Sequence, residues 1–327
     1  MPNANKTERR SAARRNTGAA RLCRSARRQF PFYLMMLPGL VTIFILFYLP
    51  LPGLIIAFKD YTGRLGIWGS PWIDPLFKNF EYFFKSDMAR NATINTLLYN
   101  LLEIVLVTVG ALALAIMLNE VKNKFVSATY KGVILLPTFL SWIIIQYIVF
   151  GFLSYDKGIV NDMITSWGGT AINWYIEPSY WRFIMPFMYL WKNIGYYSVL
   201  YVAAIAGIDG EYYEASQLDG ASKWQQIRHI TLPLLRPTVI ILSLLWIGKL
   251  FNGGLGDWQG FYSVPNNAGA VYSTTTVIDS YVYRSLTTLH DYGMSSAIGL
   301  YQSVVGLVLV VISNWVIKKV DPDSSLF

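Results

Sequence analysis

Residues 295–317 read SSAIGLYQSVVGLVLVVISNWVI, an apolar run with no charged residue and enough length to cross a bilayer as one helix. Hydrocarbon offers no water to backbone N–H and C=O groups, so such a segment must close its hydrogen bonds internally. That requirement sets the class of the chain as helical and membrane-embedded. Five more segments share this character, at about 32–58, 94–118, 128–153, 181–206 and 233–251; the last of these is the weakest, because Lys249 lies near its end. Composition agrees, with 54% hydrophobic and 14% charged residues, where soluble domains carry about a quarter charged. The expected fold is all-α, a polytopic membrane protein with six transmembrane helices. Prolines 38, 50, 52, 137, 186 and 237 fall inside or at the ends of these segments, which membrane helices tolerate when neighbours re-satisfy the freed carbonyls.

Basic residues orient the chain. With a cytoplasmic N-terminus, the inside segments hold nine Lys and Arg of the first 28 residues, then Lys122, Lys124, Lys131, Lys223, Arg228, Arg236, Lys318 and Lys319. The outside segments hold Lys59, Arg64, Lys78, Lys85, Arg90, Lys157, Arg182 and Arg284, a ratio of 17 to 8. Both termini are therefore expected inside. Loops 59–93 and 252–294, rich in Trp, Tyr, Gly and Pro, are expected as ordered extracytoplasmic caps. Residues 1–29 form a basic cytoplasmic tail; a nucleic-acid arm is the other reading of such charge, and the apolar run that follows at once favours the membrane anchor. The run is too long for the core of a cleaved signal and lacks a small-residue cleavage site.

Catalytic signatures are absent. Cys23 is the one cysteine, His229 and His290 are far apart, and no HExxH, GxSxG or GxxxxGK[ST] pattern occurs. The chain is expected to be no enzyme and to hold no cofactor or metal.

The segment YYEASQLDGASKWQQI, between the fourth and fifth spans, is polar and compact. It reads as a short amphipathic helix, a glycine break at Gly220 and a second short helix. Gly220 permits a positive φ; Ala215, Ser216, Ala221 and Ser222 are small enough for another surface to approach; Pro233 suits the first turn of the next span. A plain connecting loop is the alternative reading. Glu214-Ala215-Ser216, then Gly220, then Ile230-Thr231-Leu232-Pro233 resembles, in every spacing, the EAA loop of binding-protein-dependent ABC importer permeases, with Ser in place of the third small residue. LDGAS and LPLLRP extend the likeness to the sugar-importing, maltose-transporter-like members. GDWQGFYSVPNN, VYSTTTVIDSYVYRSL, SSAIGLYQSVVGLVLV and the terminal Phe327 resemble the permeases for pectin-derived and other polysaccharide fragments, including the LplB, polygalacturonan and alginate types.

The resemblance covers residues 30–327 and implies the type I ABC importer permease fold, with a coupling loop at 211–233. It implies that Glu214, Ala215, Ser216, Asp219 and Gly220 engage a separate ATPase, which holds ATP and Mg. The partners it implies are a second homologous permease, two ATPase subunits, an extracytoplasmic sugar-binding protein and an oligosaccharide, in a bacterial plasma membrane. Polar and aromatic residues in spans line wet cavities or bond across helices. The helices flanking the loop carry Trp191, Lys192, Asn193, Tyr196, Tyr197, Trp246, Lys249 and Asn252, the expected sugar pathway. A lysine buried at mid-bilayer costs about 2.5–3.5 kcal/mol, which a carboxylated cargo would offset; snorkelling to the interface is the competing use. A uronate-containing fragment is the expected cargo and a neutral oligosaccharide the alternative. A secondary transporter or a membrane scaffold is disfavoured, because no inverted repeat or midplane carboxylate relay is evident.

Overall fold

Asn123 and Ser141 each start a helix by accepting backbone N–H groups on the side chain, Asn123 from Phe125 and Val126 at 3.0 and 3.2 Å, Ser141 from Ile144 at 3.3 Å. Caps of this kind, and the apolar runs between them, make helices dominate residues 29–251 and 257–320, which the computed structural model describes. The basic tail up to residue 28 and Asn252 lie outside the described residues. Two compact units are distinguished, Met1–Ile55 and Ile56–Phe327.

The first unit is described through helix α1, Gln29–Phe58. It widens into a π-turn over Phe44–Tyr48 and tightens to a 3-10 helix over Leu51–Phe58. Pro50 and Pro52, which lack an N–H and crowd the preceding turn, account for that change of winding.

The second unit contains α2 (Lys78–Lys85), α3 (Asp87–Asn119), α4 (Lys124–Phe139), α5 (Trp142–Leu153), α6 (Ile159–Ser166), α7 (Pro178–Ala206), α8 (Gly210–Leu218), α9 (Lys223–Gly248), α10 (Trp258–Ser263), α11 (Tyr272–Thr275), α12 (Ile278–Arg284) and α13 (Tyr292–Val320). Among the described residues four helices, α1, α3, α9 and α13, are long and apolar enough to cross a membrane, and a fifth span arises if α4 and α5 are taken together. The fourth expected span, 181–206, is present as the 29-residue α7, long enough to cross but carrying Arg182, Lys192 and Asn193 among its apolar residues. Length and composition thus give four or five, and do not carry the count of six.

One expectation about these helices is corrected. The third span is not one rod: α4 and α5 meet at 94°. Leu140 donates to the Pro137 carbonyl at 3.2 Å to finish one helix, and Ser141 turns extended and caps the next, so a stop and a start sit back to back. As expected, Pro233 stands in the first turn of the α-helical stretch Leu232–Gly248, although the continuous helix does not start there. α9 begins at Lys223, ten residues before the expected span, and reaches Pro233 through a π-turn over Ile227–Thr231 in which Leu232 N–H bonds the Ile227 carbonyl. The wider turn accommodates the missing donor of the proline.

Packing inside the second unit follows residue size. On α3, Ala111 and Ala115 are fully buried and form a cluster with Tyr201, Val202 and Ile205 of α7 and Leu235 of α9. Gly195 of α7 lies so close to α4 that a Cβ there would meet the Ile134 carbonyl oxygen at 2.0 Å. Small residues permit such approach where lipid supplies no hydrophobic drive between helices. At the other end the core is aromatic: Tyr99, Trp142, Trp181, Tyr189 and Phe261 join α3, α5, α7 and α10. Beyond it the described part of the expected 252–294 cap is ordered around Arg284, which donates to Asn267 Oδ1 at 3.0 Å and Thr276 Oγ1 at 3.1 Å and lies 3.9 Å from the Tyr272 ring.

Candidate functional site

Asp209 caps α8 by accepting from Glu211 N at 3.0 Å, and the helix runs to Leu218. The chain then turns through Gly220 at φ +77°, a left-handed geometry in which an added Cβ would touch nothing within 4 Å. The glycine serves conformation, not space. Ser222 opens α9 with a reciprocal cap: its backbone N–H donates to Gln225 Oε1 at 2.7 Å, and its hydroxyl accepts from Gln225 N at 3.4 Å. The helix–break–helix reading of the insert therefore holds, and its base is tied to the end of α3 by an ion pair between Lys223 and Glu120 at 3.4 Å.

Within the insert the side chains sort into two faces. Glu214, Ala215, Asp219 and Gly220 are exposed. Leu218 is 90% exposed beside them and Trp224 68%. Ser216 points the other way. Its hydroxyl donates to the Tyr213 carbonyl and accepts from Gln226 Nε2, both at 2.8 Å, and Tyr213 shares a 2.9 Å hydrogen bond with Thr231 Oγ1. Gln226 and Thr231 are buried. The one departure from the small-residue pattern thus latches α8 onto the foot of α9. Ser216, Tyr213 and Gln226 act as a set that spacing alone did not reveal.

The residues expected in the sugar pathway separate similarly. Tyr197 accepts from Trp246 Nε1 at 3.2 Å with the rings edge-on at 4.7 Å, linking α7 to α9. Tyr196 is 47% exposed and stands edge-on to Tyr197. Asn193 turns back onto its own helix, donating to the Tyr189 carbonyl at 3.0 Å. Trp191 lines an apolar groove of about 360 Å³ with Phe152, Phe187 and Met188. Lys192 is buried and donates to the carbonyls of Thr138 and Leu140 at 3.0 and 2.6 Å. Lys249 is exposed at the end of α9.

Groups that the sequence reading passed over surround the same region. Glu103, in the middle of α3, is 1% exposed, and neither carboxyl oxygen has a hydrogen-bond partner among the described residues. An acid inside an otherwise apolar span was the available signal. One turn away, Asn100 holds the Leu250 carbonyl at 2.5 Å, and Gln302 of α13 donates to the Phe251 carbonyl. These bonds anchor the two residues that precede Asn252. Asp257 opens the described part of the cap. Burial raises its carboxyl above the ordinary range, while the Trp142 indole and the Lys192 charge nearby act against that shift.

Comparison with known proteins places this arrangement. LplB of Bacillus subtilis strain 168 is 36% identical over 291 residues, 89% of each chain. The polygalacturonan/rhamnogalacturonan transport system permease YteP of the same organism is 32% identical over 287 residues, 88% of this chain and 87% of that one. Among solved structures, a bacterial ABC transporter involved in the import of the acidic polysaccharide alginate superposes with a TM-score of 0.82 at 31% identity, covering 92% of this chain and 99% of its own. The pattern of the binding-protein-dependent transport system inner membrane component matches residues 88–322, a stretch that runs from α3 through the insert to the end of α13, and the chain belongs to that family.

Proposed function

We propose that this chain is a permease subunit of an ATP-driven importer of oligosaccharides, moving its cargo by alternating access. One observation carries the coupling part of this reading: the α8 face bearing Glu214, Ala215, Leu218 and Asp219 is exposed, while Ser216 and Gln226 bind its opposite side to a membrane-length helix. A partner that grips the exposed face moves α9 with it. The partner is a pair of ATPase subunits that hold ATP and Mg; a second related permease and an extracytoplasmic sugar-binding protein complete the assembly in the bacterial inner membrane. Both termini are cytoplasmic in this reading. A reporter after Phe327 is expected to read cytoplasmic and one within 257–289 extracytoplasmic; the opposite pattern would reverse the orientation.

We further propose a uronate-containing polysaccharide fragment as cargo. Likeness to the alginate importer over 92% of the chain supports this, as does Lys249, an exposed cation at the end of α9, three residues before Asn252. A lysine facing a sugar carboxylate gains a charge-assisted hydrogen bond, about twice as strong as a neutral one. In the reconstituted importer, Lys249→Gln is expected to lower uptake of a uronate oligomer about tenfold and leave its neutral analogue within twofold. Equal effects on both sugars would remove the charge argument and favour a neutral cargo. One observation already supports that second reading: the Lys192 ammonium is engaged by backbone carbonyls.

A further inference from the structure

We propose that Lys192 is the clamp of the α4–α5 break, a positioning residue that ties this joint to the 257–263 cap. Its ammonium reaches two carbonyls, Thr138 and Leu140, at the point where α4 ends. The final carbonyls of a helix have no partner within it and carry the negative end of the helix dipole, so a cation placed there replaces missing donors and is favoured by the field. The contact is reciprocal: Thr138 Oγ1 donates to the Lys192 carbonyl at 2.8 Å. Two helices are thereby stitched in both directions at the last turn before the 94° bend.

On the far side of the bend the same ammonium lies 5.3 Å from the Trp142 ring, the first residue of α5. Trp142 in turn packs against Tyr189, ring centroids 4.6 Å apart and the planes tilted by 38°. Tyr189 donates to the Asp257 carbonyl and lies 4.9 Å from Phe261. Gly260 closes the arrangement: a Cβ there would meet Tyr189 Oη at 2.7 Å and the Trp142 ring at 2.9 Å. Lys192, Trp142, Tyr189 and Gly260 therefore form one knot between the joint, α7 and the cap. A shift of the cap displaces Trp142, and with it the start of α5. In the import reading this cap faces the binding protein, so the knot would convey docking to the joint.

Two labels report the angle directly. In a Cys23→Ser background, spin labels at Phe125→Cys and Phe152→Cys lie near the outer ends of α4 and α5. They are expected about 30 Å apart at a right angle and approaching about 40 Å if the pair straightens, at 1.5 Å rise per residue. Lys192→Met in the assembled transporter is expected to broaden this distribution toward the longer distance and to lower uptake of uronate and neutral oligomers alike, about tenfold. Gly260→Ala, which disturbs Trp142 from the opposite side and leaves Lys192 in place, is expected to broaden it too; should Lys192→Met fail to assemble, Gly260→Ala alone decides. A narrow, unchanged distribution in the variants overturns the clamp, as does loss confined to the uronate with the angle retained. The distance measurement needs no transported sugar, so failure of the import reading would leave this test intact.

Discussion

Gly195→Ala is expected to lower the stability of the purified chain by about 3 kcal/mol or more, at the upper end for overpacking. The added methyl would lie 2.0 Å from the Ile134 carbonyl oxygen and 2.6 Å from its carbon. Both are backbone atoms of α4 and cannot rotate away, so the helices must separate. Separation also lengthens the Lys192 and Thr138 bonds a few residues along the same interface. Two controls isolate the cause. At Gly248 a Cβ would meet only Val310 Cγ2, at 2.7 Å, and a side chain can shift, so about 1 kcal/mol is expected. At Gly132 nothing lies within 4 Å, and alanine there should be neutral or slightly stabilising. Thermal unfolding in detergent orders the three variants; if Gly195→Ala unfolds with Gly132→Ala, the close approach has no energetic weight.

Gly220→Val and Glu214→Ala are each expected to reduce binding-protein-stimulated ATP hydrolysis at least tenfold in the reconstituted importer while leaving the thermal midpoint within a few degrees. At φ +77° a β-branched residue costs roughly 1–3 kcal/mol, and space is free around it. The strain is too local to unmake the spans and large enough to re-aim the turn that follows α8. The Glu214 side chain makes no hydrogen bond or ion pair among the described residues, so its truncation costs the free chain little. Losing one member of a charge pair buried against a partner commonly costs 2–5 kcal/mol of binding, and the defect should therefore surface only in the assembled complex. Wild-type coupling in both variants would dismiss the insert as the point of contact.

The apolar runs made the long helices legible, because segment length and hydrocarbon thickness leave few alternatives. The insert was legible for a different reason: Gly220 acts on its own neighbours, and local chemistry can be read from adjacent letters; the caps at Asp209 and Ser222 are equally local but were not read. What escaped was decided at a distance. Pro137 and Ser141 permit a break in the third span, but Lys192, more than fifty residues on, holds its carbonyls. The stretch KWQQIRHI read as a short helix apart from the span; that it is the foot of α9 depends on Gln226, held by Ser216 across the turn. Lys192 as a sugar contact rested on the cost of a buried cation, and the Thr138 and Leu140 carbonyls already take up its donors. Glu103, an acid in an apolar span, was legible and was passed over.

The winding of α9 through its π-turn without interruption has a mechanical result. Twenty-six residues, Lys223 to Gly248, make a lever arm about 39 Å long, with its short end inside the insert. A tilt of about 5° at that end would sweep the other by about 3 Å, several times what a hydrogen bond can stretch before it is lost. The bonds from Asn100 to the Leu250 carbonyl and from Gln302 to the Phe251 carbonyl stand at the swept end. Either they break with each stroke, or α3 and α13 are carried along, so that a push on one short helix is felt as displacement by three long ones.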